Sequence, residues 1–287
     1  QSIASIVEGN IEAIVHRIHH GTAILGLDTG FRDLNTILGG LKPGLMVIAS
    51  RPAMGKSVLA LNIAHHLSQK NHRVLFFSLS DSCNQIGAHL LSMKSQLSLR
   101  SFYNCNLNSE DIDSLRKSAQ ELSETSLLIN DRSRSIRSIK EEINRLKQSG
   151  TDLDCIIIDD LNGLAPEGPP FSQFDIISEA SIEFSELASD LNIPIVLLSH
   201  LDRDLEKRED KRPLPIDLRS TGFLEQYADI LCFLYRDEYY NIDSCEPGIA
   251  EIIIAKHRNG PTGTIKLEFN GSCLSFYDYH PSEDGYL

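Results

Sequence analysis

The stretch LMVIASRPAMGKSVLALNIAHHL, Leu45 to Leu67, decides the fold. It opens on an unbroken apolar run, Leu45–Ala49, the pattern of a strand buried on both faces. Ser50, Arg51, Pro52, Ala53, Met54, Gly55, Lys56 and Ser57 follow as a loop, and the apolar residues after Ser57 continue as a helix. Strand, loop and helix in this order are the setting in which GxxxxGK[ST] holds phosphate. Backbone N–H groups and the helix N-terminus face the anion. Gly55 lets the chain come close, Lys56 places a point charge on the β and γ phosphates, and Ser57 offers its hydroxyl to Mg²⁺. Ser50 stands where the pattern has its first glycine.

A second part of such a site comes about a hundred residues later. LDCIIIDD, Leu153–Asp160, is an apolar strand ending in Asp159 and Asp160. Asp159 at its tip would hold Mg²⁺ with Ser57. Around these two segments the chain alternates. Strands are predicted over 45–50, 73–79, 126–129, 154–159, 194–199 and 229–235, with helices over 56–69, 83–98, 109–122, 136–148 and 174–190. Such alternation predicts an α/β fold with a mostly parallel sheet covered by helices. After residue 250 the sequence turns strand-rich, with Gly260–Gly263 as a turn, so a short antiparallel edge is expected. Segments 163–173 and 202–217 read as loops. Ile3, Val7, Ile11, Ile14 and Ile18 form one stripe of an N-terminal helix.

With 287 residues, 41% of them apolar, the chain can bury one large core. No run nears the roughly 18 apolar residues of a spanning helix, and no signal-peptide pattern opens the chain, so a cytoplasmic protein is expected. The start at Gln1 reads as a trimmed chain or a piece of a longer one. Six cysteines without a CxxC pair read as free thiols. The ten histidines lack metal-ligand spacing and read as surface or packing residues. A net charge of −13 argues weakly against nucleic acid as a partner, although a basic channel can be local. The run 132–147 is basic and reads as a solvated helix face.

Four stretches resemble the ATPase domain of DnaB-type replicative helicases, in the family's order. They are GLDTGFRDLNTILGGLKPGLMVIASRPAMGKS (26–57), SHLDRDLEKR (199–208), DKRPLPIDLRSTGFLEQYADILCFLYRDEYY (210–240) and IIIAKHRNGPTGTIKLEF (252–269). A small residue in place of the first loop glycine is itself characteristic of that family. The resemblance spans about residues 20–270. It implies a RecA-like P-loop core, a homo-hexameric ring with ATP at subunit interfaces, and a central channel for single-stranded DNA. On this basis residues 1–20 are a linker helix that docks on the adjacent subunit, 21–280 the ATPase domain and 281–287 a tail. Lys256 and Arg258 match the Lys-x-Arg pair that reaches the neighbour's ATP. Asp217–Gly222 matches the DNA-facing loop, with Arg219 on phosphate and Gly222 presenting its N–H. Ser220 replaces the usual Glu there. Primase and a helicase loader are implied as partners, and the divergence suggests a plasmid- or phage-borne copy.

Two departures touch the γ-phosphate. The family's Ser-Leu-Glu-Met-Ser is Ser78-Leu79-Ser80-Asp81-Ser82 here, so the Glu that polarises the attacking water is Ser80. The Gln that senses the γ-phosphate is His200. A serine hydroxyl is a poor base, and losing a positioned base costs about 10²–10⁴ in rate. Asp81 can take over as base, Asp160 can, or none exists. In this fold the position of Asp160 usually points elsewhere. Ser82 with Gln85 makes an S-x-x-Q capping box. The expected function is an ATP-dependent DNA helicase domain. An ATP-binding ring or replication scaffold with little hydrolysis is the alternative, and a recombinase-like filament is a third.

Overall fold

The computed structural model describes residues 2–5, 7, 8, 11, 12, 15, 24–168, 172–221 and 223–281, apart from the side chains of Arg219 and Ser220. The described residues hold one nine-stranded sheet in the order β3-β2-β4-β5-β1-β6-β7-β8-β9. Its parallel part consists of β1 (Gly44–Ser50), β2 (Val74–Ser78), β3 (Leu127–Asn130), β4 (Cys155–Asp159), β5 (Pro194–His200) and β6 (Ile230–Tyr235). Three antiparallel strands, β7 (Ile249–His257), β8 (Gly263–Asn270) and β9 (Ser275–Asp278), extend it beyond β6. This is the parallel core with an antiparallel edge that the sequence predicts.

Helices cover both faces because side chains alternate along each strand. Val74 and Phe76 of β2 and Cys155 and Ile157 of β4 join one core layer, while Leu75, Phe77, Ile156 and Ile158 join the other. Helices α1 (Arg32–Leu38), α2 (Lys56–Gln69) and α3 (Cys83–Ser95) close the first layer through Leu34, Leu38, Leu59, Ile63 and Ile86. Short α4 (Leu99–Tyr103) and the longer α5 (Ser109–Ser123) lead to β3. Helices α6 (Ile136–Gln148) and α7 (Gln173–Leu191) close the second layer through Ile139, Ile143, Ile177 and Phe184. A four-residue α8 (Leu224–Tyr227) precedes β6.

The boundaries follow local chemistry. Ser82 and Gln85 form the predicted capping box of α3, and Ser172 with Asp175 starts α7 in the same way. The helical stretch predicted to reach residue 98 stops at Ser95, with Gln96 in the left-handed region. Within the segment 202–217 the chain makes 3₁₀ turns at Arg203–Lys207 and Pro215–Thr221 instead of an open loop. The cause is Asp217, a buried carboxylate held by both Nη atoms of Arg208 at 3.1 and 2.8 Å.

Residues 3–5, 7, 8, 11, 12 and 15 are helical, as the N-terminal stripe predicts. Ile3, Val7 and Ile11 are exposed there, Ile3 by 75%, while Ile14 and Ile18 lie outside the described residues. No described helix is long and apolar enough to cross a membrane.

Candidate nucleotide site

Strand order assembles the site. Because β5 lies between β4 and β1, the tip of β5 stands between the loop after β1 and the acidic end of β4. Ser50 is level with His200, and Ser78 is level with Asp159. The carboxyl ends of such strands are where α/β sheets bind ligands.

The loop itself explains its missing glycine. Ser50 is still in β1 and buried, so no glycine is needed there. The left-handed positions fall later, at Ala53 (φ 65°) and Gly55 (φ 100°). Gly55 is the N-cap of α2, so that helix begins at Lys56 with its free N–H groups at the loop. A Cβ on Gly55 would stand 3.2 Å from Phe276 and 3.4 Å from Phe269. Arg236 lies over the Phe269 ring at 4.1 Å, pairs with Glu238 and donates to the Ala53 carbonyl at 3.4 Å. Arg51 donates to Glu206 at 2.8 Å and to the Leu201 carbonyl at 2.9 Å. Met54 is buried and Pro52 and Ala53 are exposed. The antiparallel edge thus buttresses the loop, a role for Phe269, Phe276 and Arg236 that no motif signals.

At its heart is a compact charge cluster. The buried Lys56 ammonium lies 3.1 Å from Asp160 Oδ2 and 4.0 Å from Asp159 Oδ1. His200 Nε2 lies 2.8 Å from the same Asp160 oxygen. Asp160 Oδ1 accepts the Asn162 N–H at 2.9 Å, and Asn162 Oδ1 accepts the His200 N–H at 3.1 Å. Asp160 therefore points into the site, contrary to the expectation for its position. Burial disfavours its ionised form, but the His200 hydrogen bond and the Lys56 charge outweigh that and hold the carboxyl well below the usual range.

Asp159 differs. Burial pushes its carboxyl up to about 6, against the nearby Lys56 charge and Ser57 hydroxyl, and Asp160 and Asp81 raise it further. Both of its oxygens are buried without a hydrogen bond. A buried carboxylate in that state suits a cation, and Asp159 with Ser57 would hold Mg²⁺ beside the phosphates. Ser80 at the tip of β2 is exposed and Asp81 half-buried. The Asp81 N–H donates to the Ser78 hydroxyl at 3.2 Å, and its carboxylate takes no hydrogen bond from a described residue.

Lys256 and Arg258 are not in this cluster. Lys256 is level with Leu231, and Ile230 is level with Met46 near the start of β1. Leu231 is itself level with Val47, and the three residue steps from Val47 to Ser50 alone put about 10 Å of strand between Lys256 and the loop. Lys256 Nζ donates to the Glu225 and Gln226 carbonyls at 2.7 and 3.1 Å. Arg258, 73% exposed, pairs with Asp229 at 3.1 Å. Both side chains thus reach the same segment, although β7 ends at His257 and Arg258 lies in the turn after it. In the segment expected to face DNA, Asp217 anchors the turn, while Gly222 and the side chains of Arg219 and Ser220 lie outside the described residues.

The DnaB-like helicase C terminal domain family matches residues 26–278, nearly all of the sheet and the whole charge cluster. The chain belongs to that family. It is 38% identical over 287 residues to the replicative DNA helicase DnaB of Buchnera aphidicola subsp. Baizongia pistaciae, covering 99% of this chain and 62% of the relative. It is 38% identical to that of Geobacillus stearothermophilus over 91% of this chain and 57% of the relative. The chain thus spans about three fifths of these relatives. Among solved structures, the "ATPase Domain of G40P" superposes with a TM-score of 0.88 at 31% identity, covering 96% of this chain and 99% of that one. A second, "The Structure Of A DnaB-Like Replicative Helicase And Its Interactions With Primase", gives 0.88 at 32% identity, over 98% and 67%. The DnaB-like membership carries the RecA-like expectation for the sheet.

Proposed function

We propose that this chain is the ATP-hydrolysing domain of a DnaB-like replicative helicase, working in the cytoplasm as a homo-hexameric ring on single-stranded DNA. One observation carries the ring. Lys56 and the pair Lys256/Arg258 stand at opposite ends of one sheet. Their own phosphates are out of reach, so the pair completes the site of an adjacent copy. The exposed stripe of the N-terminal helix supports docking on that copy as well. Primase is a proposed partner because a DnaB-like structural relative interacts with it; a loader is proposed from the family resemblance alone.

In this reading the α2 N-terminus and Lys56 bind the triphosphate. Asp159 and Ser57 would hold Mg²⁺, whose charge would offset that of the phosphates. His200 donates to the terminal phosphate, and Lys256 and Arg258 of the neighbour stabilise charge on the transferring group. Asp81 takes the proton of the attacking water. Asp160 remains the second choice as base. Arg219, Ser220 and Gly222 are proposed as the DNA contacts.

The second reading, an ATP-binding ring with little hydrolysis, is favoured by the exposed Ser80 where the family has Glu. Steady-state ATP hydrolysis of the assembled protein, with and without single-stranded DNA, decides between them. DNA-stimulated turnover that falls about 10²-fold or more in Asp81→Ala, with nucleotide affinity retained, supports the motor and its base. Tight nucleotide binding without turnover at verified assembly establishes the scaffold instead.

A further inference from the structure

Two donors assigned above to the triphosphate converge on a single protein oxygen. Lys56 Nζ lies 3.1 Å and His200 Nε2 lies 2.8 Å from Asp160 Oδ2. The partner being a carboxylate places a proton on His200 Nε2. Asp160 cannot drift, because Asn162 N–H holds its other oxygen at 2.9 Å. The tip of β5 cannot drift either, because Asn162 Oδ1 holds the His200 N–H at 3.1 Å. An ammonium and an imidazole N–H converging on one anionic oxygen are what a terminal phosphate oxygen would require at this place.

We propose that Asp160 is an internal competitor of the terminal phosphate and sets the preference of the site between triphosphate and diphosphate. The inference rests on the nucleotide-site reading above. The Asp160 carboxylate satisfies both donors. A diphosphate has to draw only Lys56 away from it. A triphosphate has to draw away Lys56 and His200, so the carboxylate penalises triphosphate more. Once the terminal phosphate departs, Asp160 recaptures His200 and favours the product state. Asp160 is in this sense a specificity-determining residue whose action runs through Lys56 and His200.

Equilibrium binding of ATPγS and ADP, each with Mg²⁺, to the full chain and to Asp160→Asn tests this, with assembly followed by light scattering and folding by circular dichroism. Loss of one charge-assisted contact at each donor should tighten ATPγS binding about tenfold and ADP binding about threefold or less. Equal changes for the two nucleotides, or weaker ATPγS binding, overturn the competitor role. A wild-type chain that binds neither nucleotide overturns the nucleotide site itself, which is a different result. Should Asp160→Asn not fold, ¹⁵N-imidazole spectra of the wild-type chain decide, with the His200 signals assigned by their loss in His200→Gln. The Nε2 resonance should move with ATPγS and stay with ADP. Equal movement, or none with either, overturns the proposal.

Discussion

At the scale of single residues the site is governed by which buried charges have partners. Lys56 is buried between two carboxylates and is the ammonium nearest the loop. Lys56→Ala should lower nucleotide affinity about a hundredfold, the size of one or two charge-assisted hydrogen bonds. Titration with a fluorescent ATP analogue checks it, and unchanged affinity would remove the phosphate-loop assignment. His65 shows the same principle away from the site. Burial, with the Lys94 and His66 charges, lowers its pKa from 6.5 to about 4 against the opposing Glu121 charge. The unfolded chain therefore binds a proton between pH 6.5 and about 4 that the native chain refuses. Stability contributed by neutral His65 is fully present above pH 6.5 and is lost as pH falls through that window. Melting temperatures measured across it should fall less steeply in His65→Gln; an unchanged slope would show that other groups set the acid limit. Neither feature was equally legible. Lys56 announced itself by motif, whereas a lone His65 reads as packing until its burial is known. Asp160 was visible as a residue, but its orientation toward Lys56 and His200 is a property of the folded strand tips.

At the scale of elements, strong periodic patterns were read closely and weak ones were missed. The predicted helices 56–69 and 136–148 coincide with α2 and α6, and the parallel strands agree to within about a residue. Helix α1 escaped notice because its seven residues span two turns and Phe31 supplies no side-chain cap. What holds it is a cluster just before it. Asn35 Oδ1 accepts from the Thr29 N–H at 2.9 Å and hydroxyl at 2.8 Å, and Asn35 Nδ2 donates to Asp28 at 2.6 Å. The 3₁₀ turn Pro215–Thr221 was hidden for a similar reason, since the buried pair Arg208–Asp217 joins residues nine apart. Strand β7 carries the prediction that belongs here. It runs antiparallel to β6, so its Lys256 end lies far from the phosphate loop. Arg258→Ala should leave nucleotide binding intact and lower turnover about 10³-fold in the assembled protein. In mixed assemblies, an Arg258→Ala subunit should silence its neighbour's site and spare its own. An equal loss in isolated monomers would show that the arginine does not act in trans.

At the scale of the whole molecule, one sheet connects the nucleotide loop to the edge that carries Lys256. Phe269 of β8 and Phe276 of β9 pack on Gly55, while β7 between β6 and β8 carries Lys256. The N-terminal helix exposes Ile3, Val7, Ile11 and Val15. An exposed apolar stripe of this kind marks an interaction surface. Deleting residues 1–15 should shift the protein toward smaller assemblies in light scattering and lower DNA-stimulated turnover, with the melting temperature of the remaining domain little changed. Retention of the full assembly would assign ring formation to the ATPase domain alone. By itself the sequence determined the α/β class, the strand and helix order, the phosphate loop and the family. Those properties reside in residue period and in motifs contiguous along the chain. Tertiary structure alone decided which carboxylate serves which cation. Asp159 and Asp160 are adjacent in sequence, yet one keeps both oxygens without a hydrogen bond and the other is bound to Lys56 and His200. That division arises because β5 inserts between β4 and β1, and strand order is set by packing between residues far apart in the chain.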